Sequence, residues 1–251
     1  MSGHSKWANI KHKKDATDKK RGKIFSRLAK EIMVAAKMGG GDANANPRLR
    51  SALTAARAAN MPNTNIDRAI KKGLGELGDV TFEEILYEGY APGGVALLIE
   101  CLTDNRNRSI SEVRTTLDRS NGNLAAAGAV GWMFKRLSHF VISGDNADED
   151  KLMDIVLDAG ADDIDVEDGV AEIWAAPEAF EAIAQALADA KVATDEAEIT
   201  RKADTTVEIK DIHTAQQILK LVDRLEELDD VQMVTANFEI ADEIADQLEE
   251  E

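Results

Sequence analysis

The segments "HFVIS" (139–143) and "DIDVEDGVAEIWA" (163–175) decide how the second half of this 251-residue chain folds. Both are short apolar stretches typical of β-strands, and Asp168-Gly169 is a preferred two-residue hairpin turn. A helical pattern follows the first strand, another follows the hairpin, and "AEITRK" (197–202) reads as a last strand. The order βαββαβ predicts a ferredoxin-like domain over residues 138–203.

The segments on either side of this domain predict a second mixed domain. Two predicted strands, around 84–90 and 95–102, flank the turn "APGG". The helix and strand that follow residue 203 are too few to form a domain, so we expect them to complete the sheet that begins near residue 84. The prediction is a discontinuous α/β domain of residues 79–137 plus 204–251.

The first part of the chain predicts a helical domain. Apolar residues recur at helical spacing from Phe25 onward, Asn46 and Pro47 suit the cap and first position of a second helix, and a short third helix ends at Gly73. Residues 1–22 lack such a pattern and predict a basic flexible arm, which leaves residues 23–78 as a three-helix domain. The predicted fold class is an α+β multidomain protein.

Charge is divided unevenly along the chain. Residues 1–75 hold 17 Lys or Arg and 5 Asp or Glu, a net charge of +12. Residues 76–251 hold 13 and 42, a net charge of −29, and together the two parts give the overall −17. Such asymmetry favours a polyanionic partner for the basic part, because clustered Lys and Arg attract phosphates.

The candidate nucleic-acid-binding residues are the cationic residues of the arm and of the first two helices, together with Trp7 and His12. Trp7 either stacks on a base or pins the arm to the helical domain, and both alternatives stay open. The candidates are Lys6, Trp7, Lys11, His12, Lys13, Lys14, Lys19, Lys20, Arg21, Lys23, Arg27, Lys30, Arg48, Arg50 and Arg57.

A possible second site contains Arg106 and Arg108 of "DNRNR", which lie just after a strand and at the start of a helix. Arginines there can bind phosphate together with free helix amides. In the alternative, Asp104 caps the helix and the arginines pair with surface acids. The sequence favours this second interpretation slightly.

The sequence carries no recognisable catalytic constellation. The four histidines lack metal-ligand spacing, the single Cys101 has no partner thiol, and "GGGD" (39–42) lacks the Gly-Lys-Ser/Thr of a phosphate loop. We therefore expect no enzymatic activity, cofactor or metal; an enzyme using a divalent metal at Asp162 or Asp163 is the remaining rival. No apolar run is long enough for a membrane span, which favours a cytoplasmic protein.

Long blocks of the first 110 residues resemble the YebC/PmpR family. They occur in the family's order as "GHSKWANIKHKK" (3–14), "RGKIFSRLAKEI" (21–32), "GGGDANANPRLR" (39–50), "NMPNTNIDRAIKKG" (60–73), "YEGYAPGG" (87–94) and "LTDNRNRS" (102–109). The resemblance implies a helical domain followed by two α/β domains. One departure lies in "GNLAAAGAVGWMF" (122–134), where Ala125 and Ala129 replace the Gly and Ser that are common in the family, which puts a functional role of that loop in question.

The resemblance implies a nucleic-acid-binding protein of one of two kinds. Bacterial members are described as DNA-binding transcriptional regulators, and others as translation factors that act at the ribosome on proline-containing stretches. The first kind predicts DNA as the partner, with a protein partner for the acidic C-terminal domains. The second predicts ribosomal RNA. Mitochondrial relatives activate translation of a cytochrome oxidase subunit.

Overall fold

The computed structural model describes residues 18–78, 81–167 and 169–249 of the chain. The longer helices and strands follow one another in the order that the sequence pattern predicts, and three short strands, Asn123–Leu124, Val207–Ile209 and Phe238–Ile240, were not predicted. The helices are α1 (Asp18–Gly39), α2 (Pro47–Ala58), α3 (Asn63–Gly73), α4 (Arg106–Asp118), α5 (Glu149–Val156), α6 (Phe180–Asp189), α7 (Ile212–Glu226) and α8 (Asp242–Glu249). The strands are β1 (Glu83–Tyr90), β2 (Ala96–Thr103), β3 (Asn123–Leu124), β4 (Phe134–Ser143), β5 (Ala161–Glu167), β6 (Val170–Ala175), β7 (Glu196–Ala203), β8 (Val207–Ile209), β9 (Val231–Ala236) and β10 (Phe238–Ile240).

Helices α1, α2 and α3 pack around a core that includes Ile32, Leu49 and Ile66. Asn46 links two of these helices, because its Oδ1 accepts a hydrogen bond from the Leu49 amide at 3.1 Å while its Nδ2 donates to the Ala35 carbonyl at 2.7 Å. The side chain thus caps α2 and holds it against α1, as expected of an Asn followed by Pro.

Helix α1 begins five residues before the end of the predicted arm. Residues 18–22 are helical, whereas the sequence pattern assigned them to a flexible segment. Apolar periodicity does not detect a helical turn whose residues are all polar or Gly. The predicted arm is therefore shortened to residues 1–17, which lie outside the described residues.

The middle domain contains a four-stranded sheet with the order β3-β1-β2-β9. Strand β9 pairs antiparallel with β2, although about 130 residues separate them in sequence, as Ile99 opposite Val234 illustrates. Helices α4 and α7 supply Leu117 and Ile218 to the core on one face of this sheet. Two short strands, β8 and β10, pair in parallel beside it.

The inserted domain contains a second antiparallel sheet with the order β5-β6-β4-β7. Numbered within the βαββαβ unit, this is the order 2-3-1-4, which is that of a ferredoxin-like fold. Leu152 of α5 and Ile183 of α6 pack against Phe140 and Ile173 on one face of the sheet. The predicted fold class, a helical domain with a discontinuous α/β domain and an inserted ferredoxin-like domain, is confirmed; the domain boundaries assigned from the sequence stay a prediction.

The segment "AVGWMF" (129–134) is apolar enough for a strand, but residues 129–133 form a loop and a short 3₁₀ turn over Gly131–Met133. Strand β4 begins only at Phe134. The amides of Val130 and Gly131 donate to the carboxylate of Glu88, so they are not available for a strand ladder. None of the helices in the described part of the chain is long and apolar enough to cross a membrane.

Candidate nucleic-acid interface

The described residues cover part of the predicted interface. The candidates from Lys6 to Lys14 lie outside them. Lys19, Lys20 and Arg21 belong to the first turn of α1. Residues 23–78, which include the remaining helical candidates, carry ten Lys or Arg against four Asp or Glu. The helical domain is therefore basic even without the arm.

Two cations of α1 contact the middle domain. The guanidinium of Arg27 donates to the backbone carbonyl of Glu226 at the end of α7. The ammonium of Lys30 lies 2.9 Å from Oδ1 of Asp230 and donates to the carbonyl of Asp229 at 2.8 Å. Both side chains thus hold α1 against the α/β domain in this structure.

Asp230 is the centre of this contact and retains only 2% of its exposure. Its other carboxylate oxygen accepts hydrogen bonds from Arg108 at 2.7 Å and from Thr103 at 2.8 Å. Burial alone would raise the pKa of Asp230, but the hydrogen bonds from Lys30, Arg108 and Thr103 outweigh it and hold the pKa below its usual value. Asp230 is therefore ionised over the ordinary pH range, and it joins the first helix to α4.

Two arginines of α2 also form ion pairs. Nε of Arg48 lies 2.7 Å from Glu31, and the same guanidinium contacts Glu84 at the start of β1. These hydrogen bonds raise the pKa of Arg48 above its usual value, against the opposing effect of burial. Arg50 contacts Glu181 of α6 at 2.8 Å with both side chains exposed. Because exposed pairs contribute little energy, Arg50 can exchange this partner for a phosphate at small cost.

Other cations of the helical domain face solvent. Arg57 in the last turn of α2 and Arg68 and Lys71 of α3 are exposed, and within the described residues no carboxylate forms an ion pair with them. Lys23 is half-buried. Arg68 and Lys71 were not among the candidates that the sequence predicted, because charge alone does not distinguish exposed cations from paired ones.

The N-terminus of α3 presents polar groups that sequence reasoning missed. Asn63, Thr64 and Asn65 are exposed, whereas Ile66 and Ala69 pack into the core. Pro62 precedes the helix without a side-chain cap, and four residues separate α2 from α3. Exposed amide and hydroxyl groups at the start of a second helix are what a helix-turn-helix protein uses to contact base edges. In the sequence, the polar triplet "NTN" after Pro62 is the pattern that could have predicted these exposed polar groups.

The two arginines of the possible second site have different surroundings. Arg106 is exposed, whereas Arg108 contacts both Asp104 and Asp230. Asn105, not Asp104, caps helix α4, because its side chain accepts from the Arg108 amide. Arg108 also lines a cleft of about 490 Å³ between α1 and the middle domain, where cations alternate with carboxylates. The cleft is lined by Lys30, Lys72, Arg108, Asp104, Glu112 and Asp229, among others.

The loop that contains Ala125 and Ala129 is held by Glu88 of β1. The Glu88 carboxylate accepts hydrogen bonds from the amides of Gly128 and Val130, each at 2.6 Å, and from Gly131 at 2.8 Å. Burial opposes ionisation, but these donors lower the pKa of Glu88. All three contacts involve backbone amides, so Ala at positions 125 and 129 is compatible with them.

The acidic stretches of the chain do not converge. Within the described ranges, no group of three or more His, Cys, Asp or Glu side chains is placed to hold a metal ion. Asp162 and Asp163 are exposed. Cys101 is buried, and burial raises the pKa of its thiol to about 11. A buried neutral thiol of this kind behaves as a small apolar side chain.

The fold and the charge distribution define a class of protein in which a basic helical domain is joined to two acidic α/β domains. Comparison with known families is in agreement: residues 5–76 match the TACO1/YebC protein N-terminal domain and residues 82–238 match the TACO1/YebC second and third domain. The chain belongs to the YebC family.

Named relatives are similar over nearly the whole chain. A probable transcriptional regulatory protein of Syntrophobacter fumaroxidans is 54% identical over 99% of this chain and 100% of its own length. One from Geobacter sulfurreducens has the same identity and coverage. The crystal structure of a conserved hypothetical protein from Aquifex aeolicus matches with a TM-score of 0.83 at 47% identity, covering 90% of this chain and 93% of that one.

Proposed function

We propose that this protein is a non-enzymatic regulator that binds nucleic acid, with duplex DNA as its target and transcription as the process it adjusts. The observation that carries the proposal is the separation of charge, +12 over residues 1–75 and −29 over the rest. The names of the relatives support a regulatory role. Membership in their family extends that support to this chain.

In this proposal the arm and the helical domain have different tasks. Lysines of the arm neutralise phosphates and release counterions, which supplies affinity without sequence preference. Arg57, Arg68 and Lys71 add contacts from a rigid surface, and Asn63 and Asn65 at the start of α3 are assigned to base edges in the major groove. Asn pairs with adenine in two hydrogen bonds, so this assignment predicts some sequence preference.

The acidic domains have a complementary role in the proposal. Their net charge repels nucleic acid away from the helical domain, which limits non-specific binding along the rest of the surface. They offer surfaces to a protein partner, and we place the whole process in the cytoplasm. The ion pair between Lys30 and Asp230 would fix the position of the acidic domains relative to the helical domain when the latter binds nucleic acid.

The test is a titration of labelled duplex DNA with the full chain between about 50 and 200 mM salt. Replacing Lys11, Lys13, Lys14, Lys19 and Lys20 by Ala should weaken binding and reduce the salt slope by up to about 0.9 per lost phosphate contact. A control replaces three exposed cations of the acidic domains, Arg114, Arg136 and Lys220, by Ala, and should leave the salt slope unchanged. An unchanged slope in the five-lysine variant would overturn the role of the arm and of the lysines in the first turn of α1.

The alternative is a ribosome-associated translation factor that binds ribosomal RNA and assists elongation at proline-containing stretches. It is favoured by the ion pairs of Arg48, because this arginine contacts both Glu31 and Glu84 and is not available for reading bases. Backbone binding without base readout suits folded RNA. Sedimentation of the full chain with ribosomes separates the two functions: co-sedimentation with no preference among DNA sequences supports the translation factor, and absence from ribosomal fractions excludes it.

A further inference from the structure

The cleft between the helical domain and the middle domain has the size of a small-molecule site. Its volume is about 490 Å³, within the range in which proteins bind such ligands. Helix α1 and the last turn of α3 form one wall. Helix α4, Phe82 and the loop before β9 form the other. We call this space the interdomain cleft.

Two of the cations that line the interdomain cleft are already paired. The ammonium of Lys30 lies 2.9 Å from the carboxylate of Asp230. The guanidinium of Arg108 lies 2.7 Å from the same carboxylate and 2.8 Å from Asp104. These ion pairs hold the two walls together at the base of the cleft.

Two other charges in the cleft lack a partner. Lys72, in the last turn of α3, and Glu112, in the middle of α4, both line the cleft and are half-buried. Within the described residues, neither side chain forms an ion pair or a hydrogen bond, and they do not pair with each other. A charge that is partly removed from water without a partner is unfavourable. A ligand with both an anionic and a cationic group would compensate the two side chains.

The balance of charge in the cleft disfavours a simple ion as the ligand. Equal numbers of cations and carboxylates line it, namely Lys30, Lys72, Arg108, Asp104, Glu112 and Asp229. A phosphate would be repelled by the carboxylates, and a metal ion by the cations. The ligand that fits these walls carries both charges and is neutral overall.

Apolar side chains lie beside the charges. Ala29 and Met33 of α1 and Phe82, just before β1, line the cleft and are half-buried. The ammonium of Lys30 lies 5.9 Å from the centre of the Phe82 ring, so the apolar and the charged parts of the cleft adjoin. A ligand that fills the cleft therefore has an apolar group next to its two charges.

We propose that the interdomain cleft binds an α-amino acid with an apolar side chain. The carboxylate of the ligand pairs with Lys72, its ammonium pairs with Glu112, and its side chain packs against Met33 and Phe82. Because Lys72 belongs to the helical domain and Glu112 to the middle domain, the ligand stabilises the arrangement in which these two domains lie together. Amino-acid binding does not depend on nucleic-acid binding, so either proposal can fail without the other.

The test is isothermal titration of the full chain with L-leucine and with two analogues that each lack one charge. N-acetyl-L-leucine keeps only the carboxylate, and L-leucinamide keeps only the ammonium. Leucine should bind, and each analogue should bind about tenfold more weakly or worse, because one charge-assisted hydrogen bond is lost. The proposal is overturned if leucine does not bind or if either analogue binds as well as leucine.

Two variants assign the charges of the ligand to the two side chains. Lys72→Met should weaken leucine binding about tenfold and leave leucinamide binding unchanged, since leucinamide already lacks the carboxylate. Glu112→Gln should weaken leucine binding similarly and leave acetyl-leucine binding unchanged. The matched controls, Lys220→Met and Asp118→Asn, remove exposed charges outside the cleft and should bind leucine normally. If the cleft variants bind leucine as well as the controls do, the site is not this cleft.

A comparison of amino acids tests the apolar part of the site. Leucine should bind more tightly than glycine, because its side chain is removed from water against Met33 and Phe82. It should also bind more tightly than L-glutamate and L-lysine, whose third charge unbalances the cleft. Tighter binding of glycine, glutamate or lysine than of leucine would contradict the proposed class of ligand.

Discussion

Lys30 and Asp230 are 200 residues apart in sequence, and their charged groups lie 2.9 Å apart. The first helix of the protein is thereby joined to the loop before β9, which also receives Arg108 of α4. A residue that the charge pattern assigned to phosphate binding therefore stabilises the contact between the helical and α/β domains. The proposal for the interface must accordingly rely on the cations that face solvent.

Replacing Asp230 by Asn should lower the free energy of unfolding by about 2 to 3 kcal/mol, because a nearly buried carboxylate that binds two cations is lost. Urea unfolding followed by circular dichroism measures the change. The control is Glu181→Gln, which breaks the exposed pair with Arg50 and should change stability by less than about 1 kcal/mol. Equal effects of the two substitutions would mean that Asp230 contributes no more than a surface pair.

Much of the fold could be predicted because its signals are local. Asn46 and Pro47 mark the start of α2 within two adjacent residues, and Gly169, at φ 77°, completes a turn typical of a tight hairpin. The conformation of the segment before β4 could not be predicted from local sequence signals. Its amides bind Glu88, about 40 residues earlier in the chain, and no periodicity in the segment itself encodes that contact.

Replacing Glu88 by Gln should loosen the loop of residues 125–131. Three backbone amides that donate to a carboxylate would share one neutral oxygen, and charge-assisted hydrogen bonds are about twice as strong as neutral ones. We expect hydrogen exchange of the Val130 amide to become about tenfold faster, equivalent to about 1.4 kcal/mol. Exchange of the Ile142 amide in β4, which is remote from the loop, serves as the control and should not respond to local opening.

Acid should lower the stability of the protein, because it protonates the carboxylates of Asp230 and Glu88. The pKa values of Asp230 and Glu88 are lowered in the folded protein, so each contributes stability that is present above its unfolded pKa and is lost as pH falls toward its folded pKa. The unfolded values are about 3.9 and 4.3. Unfolding free energy should therefore begin to fall below about pH 5. The double variant Asp230→Asn, Glu88→Gln should show a shallower pH dependence, and an identical slope would contradict these assignments.

Two glycines should respond in opposite directions to replacement by Ala. A Cβ on Gly73 would lie 2.4 Å from the Met33 carbonyl oxygen, so the end of α3 would be pushed from α1 at a cost of about 1 to 3 kcal/mol. Gly22 is exposed within α1 with nothing near its Cβ position, and Gly22→Ala should stabilise the protein by up to about 1 kcal/mol. Thermal unfolding of the two variants measures whether each substitution raises or lowers stability. If Gly22→Ala destabilises the protein, the added methyl group must contact a neighbouring group.

The candidate site was less predictable than the fold, because exposure and pairing depend on contacts across the chain. Arg48 and Arg50 look equivalent in "NPRLR", yet one bridges Glu31 and Glu84 while the other contacts Glu181 of the inserted domain. The partners of these arginines lie 17, 36 and 131 residues away. Composition alone therefore identified the basic domain but not which of its cations remain available.

The available cations should account for the binding that the helical domain contributes. Replacing Arg57, Arg68 and Lys71 by Ala removes three exposed charges without breaking an ion pair of the described chain. Stability should therefore change little, while the salt slope for duplex DNA falls by up to about 0.9 per phosphate contact.

The separate variant Asn63→Ala, Asn65→Ala should leave the salt slope unchanged and reduce the ratio of specific to non-specific affinity, because base contacts carry the sequence preference. Fluorescence anisotropy at several salt concentrations measures both quantities, and the Arg114, Arg136, Lys220 variant is the control. If the variant without Arg57, Arg68 and Lys71 binds DNA with an unchanged salt slope, the arm alone contacts the phosphates and the helical domain contributes no phosphate contacts of its own.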